Sequence, residues 1–95
     1  MQKSRYFGIK THPPQAQYFV IWHKGQWRIR AGYRTTGPYP SKAHAMCAAV
    51  DFAEKDGMAG RDAHVLIQDD QRHFHTAWVY GRDPYPLKLR ASYAM

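Results

Sequence analysis

The sequence predicts an α+β fold, a two-layer ββαββ domain in which one helix packs on one face of a four-stranded antiparallel sheet. Two observations predict it: two pairs of β-type segments joined by short turns, and a single run of strong helix formers between the pairs. The chain has 95 residues, of which 44% are hydrophobic, enough for one modest core. We expect the domain to span residues 17–86, between a basic N-terminal arm (1–16) and a C-terminal tail (87–95).

The first hairpin is predicted at Gln17–His23 and Trp27–Tyr33, which are rich in aromatic and β-branched residues and alternate apolar with polar side chains. Either Lys24-Gly25 or Gly25-Gln26 can form a two-residue turn between these segments, with Gly25 supplying the positive φ that such a turn requires. The alternation fixes which side chains face the core, because a one-residue slip would bury arginines. The predicted buried row is Tyr18, Val20, Trp22, Trp27, Ile29 and Ala31, and the exposed row is Phe19, Ile21, His23, Arg28, Arg30 and Arg34.

A helix is predicted from Lys42 to Asp56, after the break at residues 37–40 (Gly-Pro-Tyr-Pro). Ser41 stands at the N-cap position, and Gly57 is the expected left-handed residue that ends the helix. Small side chains recur at helical spacing and let the helix lie close to the sheet, at Ala45, Ala49 and Ala53.

The second hairpin is predicted at His64–Gln68 and His73–Tyr80, with Asp70 and Gln71 at the centre of its turn. This register places Val65, Ile67, Phe74 and Trp78 on the buried face and His64, Leu66, His73, His75 and Val79 on the opposite face. With Trp22 and Trp27 on the buried face of the first hairpin, all three tryptophans are expected in the core.

Three strings carry a resemblance to a known family: GQWRIR, SKAHAMCAAVDFAEKDG and HVLIQDDQRHFHTAWVYGRDPYP. They resemble the small bacterial proteins of domain-of-unknown-function family 2188, most closely in the closing Tyr-Gly-x-Asp-Pro-x-Pro pattern of residues 80–86. The chain departs from the family pattern at Gly25-Gln26-Trp27 and at the 69–72 turn, which lacks glycine. The resemblance implies the same strand–helix–strand fold and brings no catalytic residues with it.

Several classes of protein are excluded by what the sequence lacks. A single cysteine, Cys47, precludes an internal disulfide and a cysteine-based zinc finger. No apolar run approaches the ~18 residues of a membrane span, and residues 1–16 contain no secretory signal. Glycine-rich phosphate loops and nucleophile motifs are missing, and Cys47 lies among alanines beside His44. We therefore expect a cytoplasmic, non-enzymatic protein without cofactor or membrane association.

Charge is distributed unevenly along the chain. Residues 1–40 contain seven Lys or Arg and no acidic residue, whereas residues 41–70 contain six acidic and three basic residues. One helix cannot cover both faces of a sheet, so the exposed row of the first hairpin is expected to form a basic surface. Such a surface predicts binding to the phosphate backbone of DNA or RNA, or to an acidic protein. The predicted nucleic-acid site comprises Arg28, Arg30, Arg34, Phe19, His23, His73 and His75.

Two alternatives use the same face of the predicted sheet. A protein–protein or homodimer interface is favoured by the apolar residues expected there, Phe19, Ile21, Leu66 and Val79. A metal site is a weaker alternative, since His73 and His75 share a strand face that His64 approaches from the neighbouring strand. No carboxylate is placed to complete that set, so the prediction is a site without metal.

Overall fold

A computed structural model describes residues 15–87, so the predicted arm and tail lie almost entirely outside the described residues. The elements in chain order are β1 (Ala16–His23), β2 (Gln26–Ala31), β3 (Arg34–Tyr39), α1 (Lys42–Met58), β4 (Ala63–Gln68) and β5 (Phe74–Val79). The strands form one sheet in the order β3-β2-β1-β4-β5, with α1 packed on one face. The α+β class and the single helix are confirmed, but the sheet has five strands and is mixed. Within residues 15–87 no helix is long and apolar enough to cross a membrane.

The β1–β2 hairpin has the predicted assignment of side chains to the two faces, with the turn at Lys24-Gly25. Phe19 lies opposite Arg30 and Trp22 opposite Trp27, across a two-residue turn in which Lys24 and Gly25 have φ values of 53° and 76°. Two positive φ values match a primed turn, whose twist suits antiparallel strands. The arginines of β2 therefore face away from the core, as the alternation predicts.

The predicted four-strand sheet is wrong, because the Gly-Pro-Tyr-Pro segment that predicts a strand break belongs in part to a fifth strand, β3. The chain leaves β2 at Ala31, turns through Gly32 and Tyr33, and returns antiparallel from Arg34 to Tyr39. This strand includes Pro38, which cannot donate to a ladder. Because β3 lies at the edge of the sheet, one of its two sides needs no strand partner, and proline is tolerated there.

The missed strand also explains why the sheet is not wholly antiparallel. β3 runs parallel to β1, since each is antiparallel to β2. α1 returns the chain to the starting end of the sheet, so β4 runs parallel to β3 and pairs with β1 in parallel, from Ala16–Ala63 to Val20–Ile67. A helix that followed β2 directly would instead have made β4 antiparallel to β1.

The helix begins where the sequence predicts and ends later. Ser41 is the N-cap, its Oγ accepting a hydrogen bond from the His44 N–H at 3.1 Å. Gly57 does not end the helix, because α1 continues through Met58 to a C-cap at Ala59. Gly57 is buried, and a Cβ there would lie 2.1 Å from the Tyr80 ring. Glycine is therefore needed for close packing at this position.

The core lies between α1 and the sheet. Its largest fully buried side chains are Trp78, Ile29, Val20, Val50 and Val65, and small residues of α1 approach them at Ala45, Ala49 and Ala53. The expectation that all three tryptophans are buried is wrong. Trp78 is 1% exposed, but Trp22 is 54% exposed beyond the N-terminal end of the helix.

A β-bulge in the β4–β5 pair overturns part of the predicted second hairpin. Val65 and Trp78 share the buried face, as predicted, and lie opposite each other, but the register then shifts by one residue, so that Thr76 lies opposite Leu66. From Phe74 to Thr76, before the bulge, each side chain of β5 therefore lies on the face opposite to the predicted one. Phe74, predicted in the core, faces away from α1, and His75, predicted on the opposite face, lies on the helix side opposite Ile67.

The closing 80–86 segment ties β5 to the helix. The Trp78 indole donates to the Pro84 carbonyl at 2.9 Å, and the Asp83 carboxylate accepts from the Val79 N–H at 2.8 Å. The Tyr85 hydroxyl donates to Asp51 of α1 at 2.8 Å, and this bond raises the pKa of the tyrosine. The segment that carries the family resemblance therefore has a structural role in this chain.

The contact between Gly57 and Tyr80 gives a test of the packing. Alanine normally stabilises a helix relative to glycine by about 0.5–1 kcal/mol. For Gly57→Ala we expect the opposite sign, a loss of about 2 kcal/mol in the free energy of unfolding, because the new methyl group overlaps the Tyr80 ring. Urea denaturation measures it. In a double-mutant cycle Tyr80→Leu should recover part of the loss, and an unchanged or higher stability of Gly57→Ala alone would contradict the packing.

Candidate nucleic-acid interface

The face of the sheet opposite α1, here called the open face, is not covered by a second layer within residues 15–87. Alternate side chains of each strand point to it. The register assigns to it Gln17, Phe19, Ile21 and His23 of β1, Gln26, Arg28 and Arg30 of β2, Thr35 of β3, His64, Leu66 and Gln68 of β4, and Phe74, Thr76 and Val79 of β5.

A groove of about 500 Å³ lies on the open face, and we call it the phenylalanine groove. The Phe19 and Phe74 rings meet edge to face in it, with centroids 5.1 Å apart and planes at 79°. Phe74 is 42% exposed, so aromatic surface remains available to a planar ligand. The lining residues are Gln15, Gln17, Phe19, Ile21, Arg30, Gly32 and Phe74.

Two predicted arginines flank these aromatic rings. Arg30 lies directly opposite Phe19, and Arg28 lies opposite Ile21. Residues two apart on a strand are separated by about 6.5–7 Å. Arg28 donates a hydrogen bond to the Gln26 side chain at 2.6 Å, and neither arginine has a carboxylate within ion-pair distance among residues 15–87. Both guanidinium groups are therefore available to an external anion.

Arg34 does not belong to this site, contrary to the sequence prediction. The turn at Gly32 and Tyr33 reverses the chain, so Arg34 belongs to β3 and lies opposite Ala31 on the helix side. There it borders a small cleft with Tyr18 and Phe52. The alternation of side chains between the two faces continues along β2 only to Ala31. The turn that follows places Arg34 on the helix side instead of the open face.

The histidines are divided between the two faces. His23 ends β1 on the open face, and His64 lies 3.3 Å from the Gln15 amide there. His75 lies on the helix side, and the β4–β5 turn contains His73, whose N–H donates to Asp69. His73 and His75 therefore do not add to the basic row as predicted. No three His, Cys, Asp or Glu side chains in residues 15–87 are grouped to hold a metal ion.

The two layers of the fold carry opposite charge. No strand contains an acidic residue. Three acidic residues lie on α1, Asp51, Glu54 and Asp56, and the other four lie in turns and loops, Asp62, Asp69, Asp70 and Asp83. An anion that approaches the open face therefore meets arginine without a competing carboxylate on the same strands.

No hydrogen bond joins His44 to Cys47 on α1 within residues 15–87. Burial first, and the charge of Asp51 second, raise the pKa of the Cys47 thiol, which favours its protonated form. The His44 ring lies 2.6 Å from the hydroxyl of Ser41 at the helix N-cap.

Comparison with protein-family models, with curated proteins and with solved structures found no match. The resemblance in residues 80–86 to a family of small bacterial proteins thus stays a prediction from the sequence.

The turn that positions Phe74 depends on Asp69. Its carboxylate accepts from the backbone N–H groups of Gln71 and His73, at 2.8 and 2.9 Å, and lies 2.6 Å from the His75 ring nitrogen. The bond to His75 first, and the bonds to the backbone second, lower the pKa of Asp69 from 3.8 to about 2.

Acid titration tests the role of Asp69 in this turn. A carboxyl group whose pKa is lower in the folded state stabilises the fold at pH values above its ordinary pKa of 3.8. That stabilisation is lost as the pH falls towards the folded-state pKa of about 2. We expect Asp69→Asn to lower the melting temperature at pH 7 and to flatten its dependence on pH between 4 and 2. Asp70→Asn is the matched control, since no hydrogen bond joins Asp70 to the part of the chain that the structure describes. Identical acid limbs for wild type and Asp69→Asn would contradict the assignment.

Proposed function

We propose that this protein binds single-stranded nucleic acid on the open face, with little reading of base sequence. The observation that carries the proposal is a pair of arginines with no carboxylate partner within residues 15–87, beside half-buried Phe19 and exposed Phe74. Single-strand binders combine aromatic side chains, on which bases stack, with cationic groups that follow the phosphates. Both components lie in or beside the phenylalanine groove.

The placement of the arginines suits a sugar-phosphate backbone. Arg28 and Arg30 project from one strand at alternate positions, about 6.5–7 Å apart, which is close to successive phosphate spacings in an extended strand. Arg30 is exposed and stands beside Phe19, so a phosphate on the arginine would bring the attached base towards the aromatic pair. The acidic side chains of α1 lie on the other side of the sheet, where they do not oppose this approach.

The binding of a second copy to the open face is less favourable. Among the large hydrophobic residues that are exposed within residues 15–87, only Phe74 belongs to this face. Ile21 of the same face is buried, with 9% of its surface exposed. The apolar patch is therefore small for an interface. A twofold dimer through this face would also bring the Arg28–Arg30 rows of two copies together without a strand carboxylate to neutralise them.

The salt dependence of binding tests the role of the arginines. Each phosphate neutralised on a single strand contributes about −0.7 to the slope of log K against log salt. We expect the double variant Arg28→Gln/Arg30→Gln to bind oligo(dT) or oligo(U) more weakly, with a slope less negative by about 1.4. Fluorescence anisotropy across a salt series measures both quantities.

The charge-matched control for this pair is Lys55→Gln/Arg61→Gln, which removes two positive charges from α1 and from the loop that follows it. It should keep the wild-type slope. Failure of the wild type to bind either oligonucleotide at low salt would exclude the proposed function. Equal slopes for the wild type and the Arg28/Arg30 variant would place the phosphates elsewhere.

The aromatic contribution is tested by Phe74→Ala. Stacking on an aromatic side chain contributes about 1–3 kcal/mol per base, so we expect an affinity for oligo(dT) lower by roughly ten- to a hundredfold. The salt slope should stay the same, because no cation is removed, and binding to a duplex of equal length should change little. Met58→Ala, at an exposed apolar side chain of α1, is the control. Equal losses on single strand and duplex would argue against base stacking.

A further inference from the structure

A second groove lies on the helix side of the sheet, beyond the N-terminal end of α1. Its volume is about 550 Å³, within the range of about 300–1,000 Å³ that is typical of small-molecule sites. We call it the tryptophan groove. It is lined by Trp22, Trp27, Lys42, Gln68, Asp69, Asp70 and Arg72.

The aromatic wall of this groove is fixed but open. The Trp22 and Trp27 rings meet at 63° with centroids 5.2 Å apart, and the Lys42 ammonium lies 5.8 Å from the centre of the Trp27 ring. The Trp27 ring therefore already has a cation partner. Trp22, at 54% exposure, has none among the described residues and presents indole surface to the groove.

The polar groups of the groove have balanced charge. Lys42 and Arg72 are basic, and Asp69 and Asp70 are acidic. An anionic ligand would meet the two carboxylates, and a cationic ligand would meet the ammonium and guanidinium groups. The groove therefore favours a neutral ligand that can both donate and accept hydrogen bonds.

The hydrogen-bonding capacity that remains free is of both kinds. Gln68, the last residue of β4, has open-face parity, but its side-chain carbonyl oxygen accepts from the Trp22 backbone N–H at 3.1 Å, so its amide also borders the groove. The NH₂ group of that amide has no hydrogen-bond partner among residues 15–87. Asp69 is committed to its own turn, but Asp70 is exposed and has no hydrogen bond with residues 15–87. A ligand would thus find donors at Gln68 and Arg72 and an acceptor at Asp70.

We propose that the tryptophan groove binds a neutral saccharide, with one sugar ring stacked on the Trp22 indole and its hydroxyl groups bonded to Gln68, Asp70 and Arg72. A pyranose has C–H bonds on its faces, which are attracted to the negative face of an indole. Its rim carries hydroxyl groups that donate and accept at once. This function is separate from nucleic-acid binding and does not rest on it.

The test uses maltotriose and cellotriose as probes on the full chain labelled with ¹⁵N. Three indole N–H signals report on the three tryptophans, and the signal of buried Trp78, which donates to Pro84, is the internal reference. We expect a saturable shift of the Trp22 indole and Gln68 amide signals by at least one sugar, with a Kd of about 1 mM, as suits an open groove with few contacts. The shift should be the same at low and high salt, because no charge is neutralised.

Variants separate the outcomes. Trp22→Ala should weaken binding at least tenfold while the Trp78 signal keeps its position, which shows that the fold is intact. Phe74→Ala, on the open face, should bind the sugar like the wild type. The proposal is overturned if neither sugar at about 20 mM shifts the Trp22 signal. It is equally overturned if the Gln68 amide signal of Trp22→Ala shifts with the wild-type Kd. The same holds if only choline or glucose 6-phosphate, as cationic and anionic probes, shifts the Trp22 signal of the wild type.

Discussion

One helix covering part of one face of a wider sheet is the constraint on which the rest of the structure depends. Five strands at about 4.8 Å spacing span roughly 19 Å, whereas a helix with its side chains is about 10–12 Å across. α1 packs chiefly over β1 and β4, so that within residues 15–87 no second element covers the margins of its own face or the opposite face. Arg34 and Trp22 lie at these margins, where a side chain on the helix side of the sheet is still exposed to solvent. The surface chemistry of the protein follows from this mismatch in width.

The sequence predicted the parts of the fold that depend on local patterns. Alternation and one glycine turn established the β1–β2 register, and Ser41 with the spaced alanines established the start and inner face of the helix. Features that depend on the whole sheet were missed. Pro38 can lie within a strand because β3 is at the edge of the sheet, which a local pattern does not show. The bulge near Ala77 depends on the pairing of β5 with β4. The predicted face was therefore correct for Phe19, Arg28 and Arg30 and wrong for Arg34 and His75, each of which lies beyond such a feature.

The mixed sheet and the charge separation have a common origin in the chain order. All residues before Ser41 lack acidic side chains, and three of the five strands come from that segment. The helix that follows carries the acids of the 41–56 stretch on the far side of the sheet. A chain with uneven charge along its length thus becomes a domain with a basic sheet and an acidic helix. The 80–86 segment holds the sheet and the helix together at the end of β5. Pro84 and Asp83 accept hydrogen bonds from β5, and Tyr85 donates one to α1.

The β4–β5 turn lies between the two grooves and determines the chemistry of each. Asp69 fixes the turn through its backbone bonds, and the bulge that follows directs Phe74 to the open face. The acidic side chains of the same turn contribute to the groove on the helix side instead. Without the bulge, Phe74 would return to the core side and His75 to the open face, and the arginines would lose their second aromatic neighbour. The one-residue bulge in the edge strand β5 thereby adds the Phe74 ring to the open face. The acidic residues of the turn remain beside Trp22, in the groove that also contains Lys42 and Arg72.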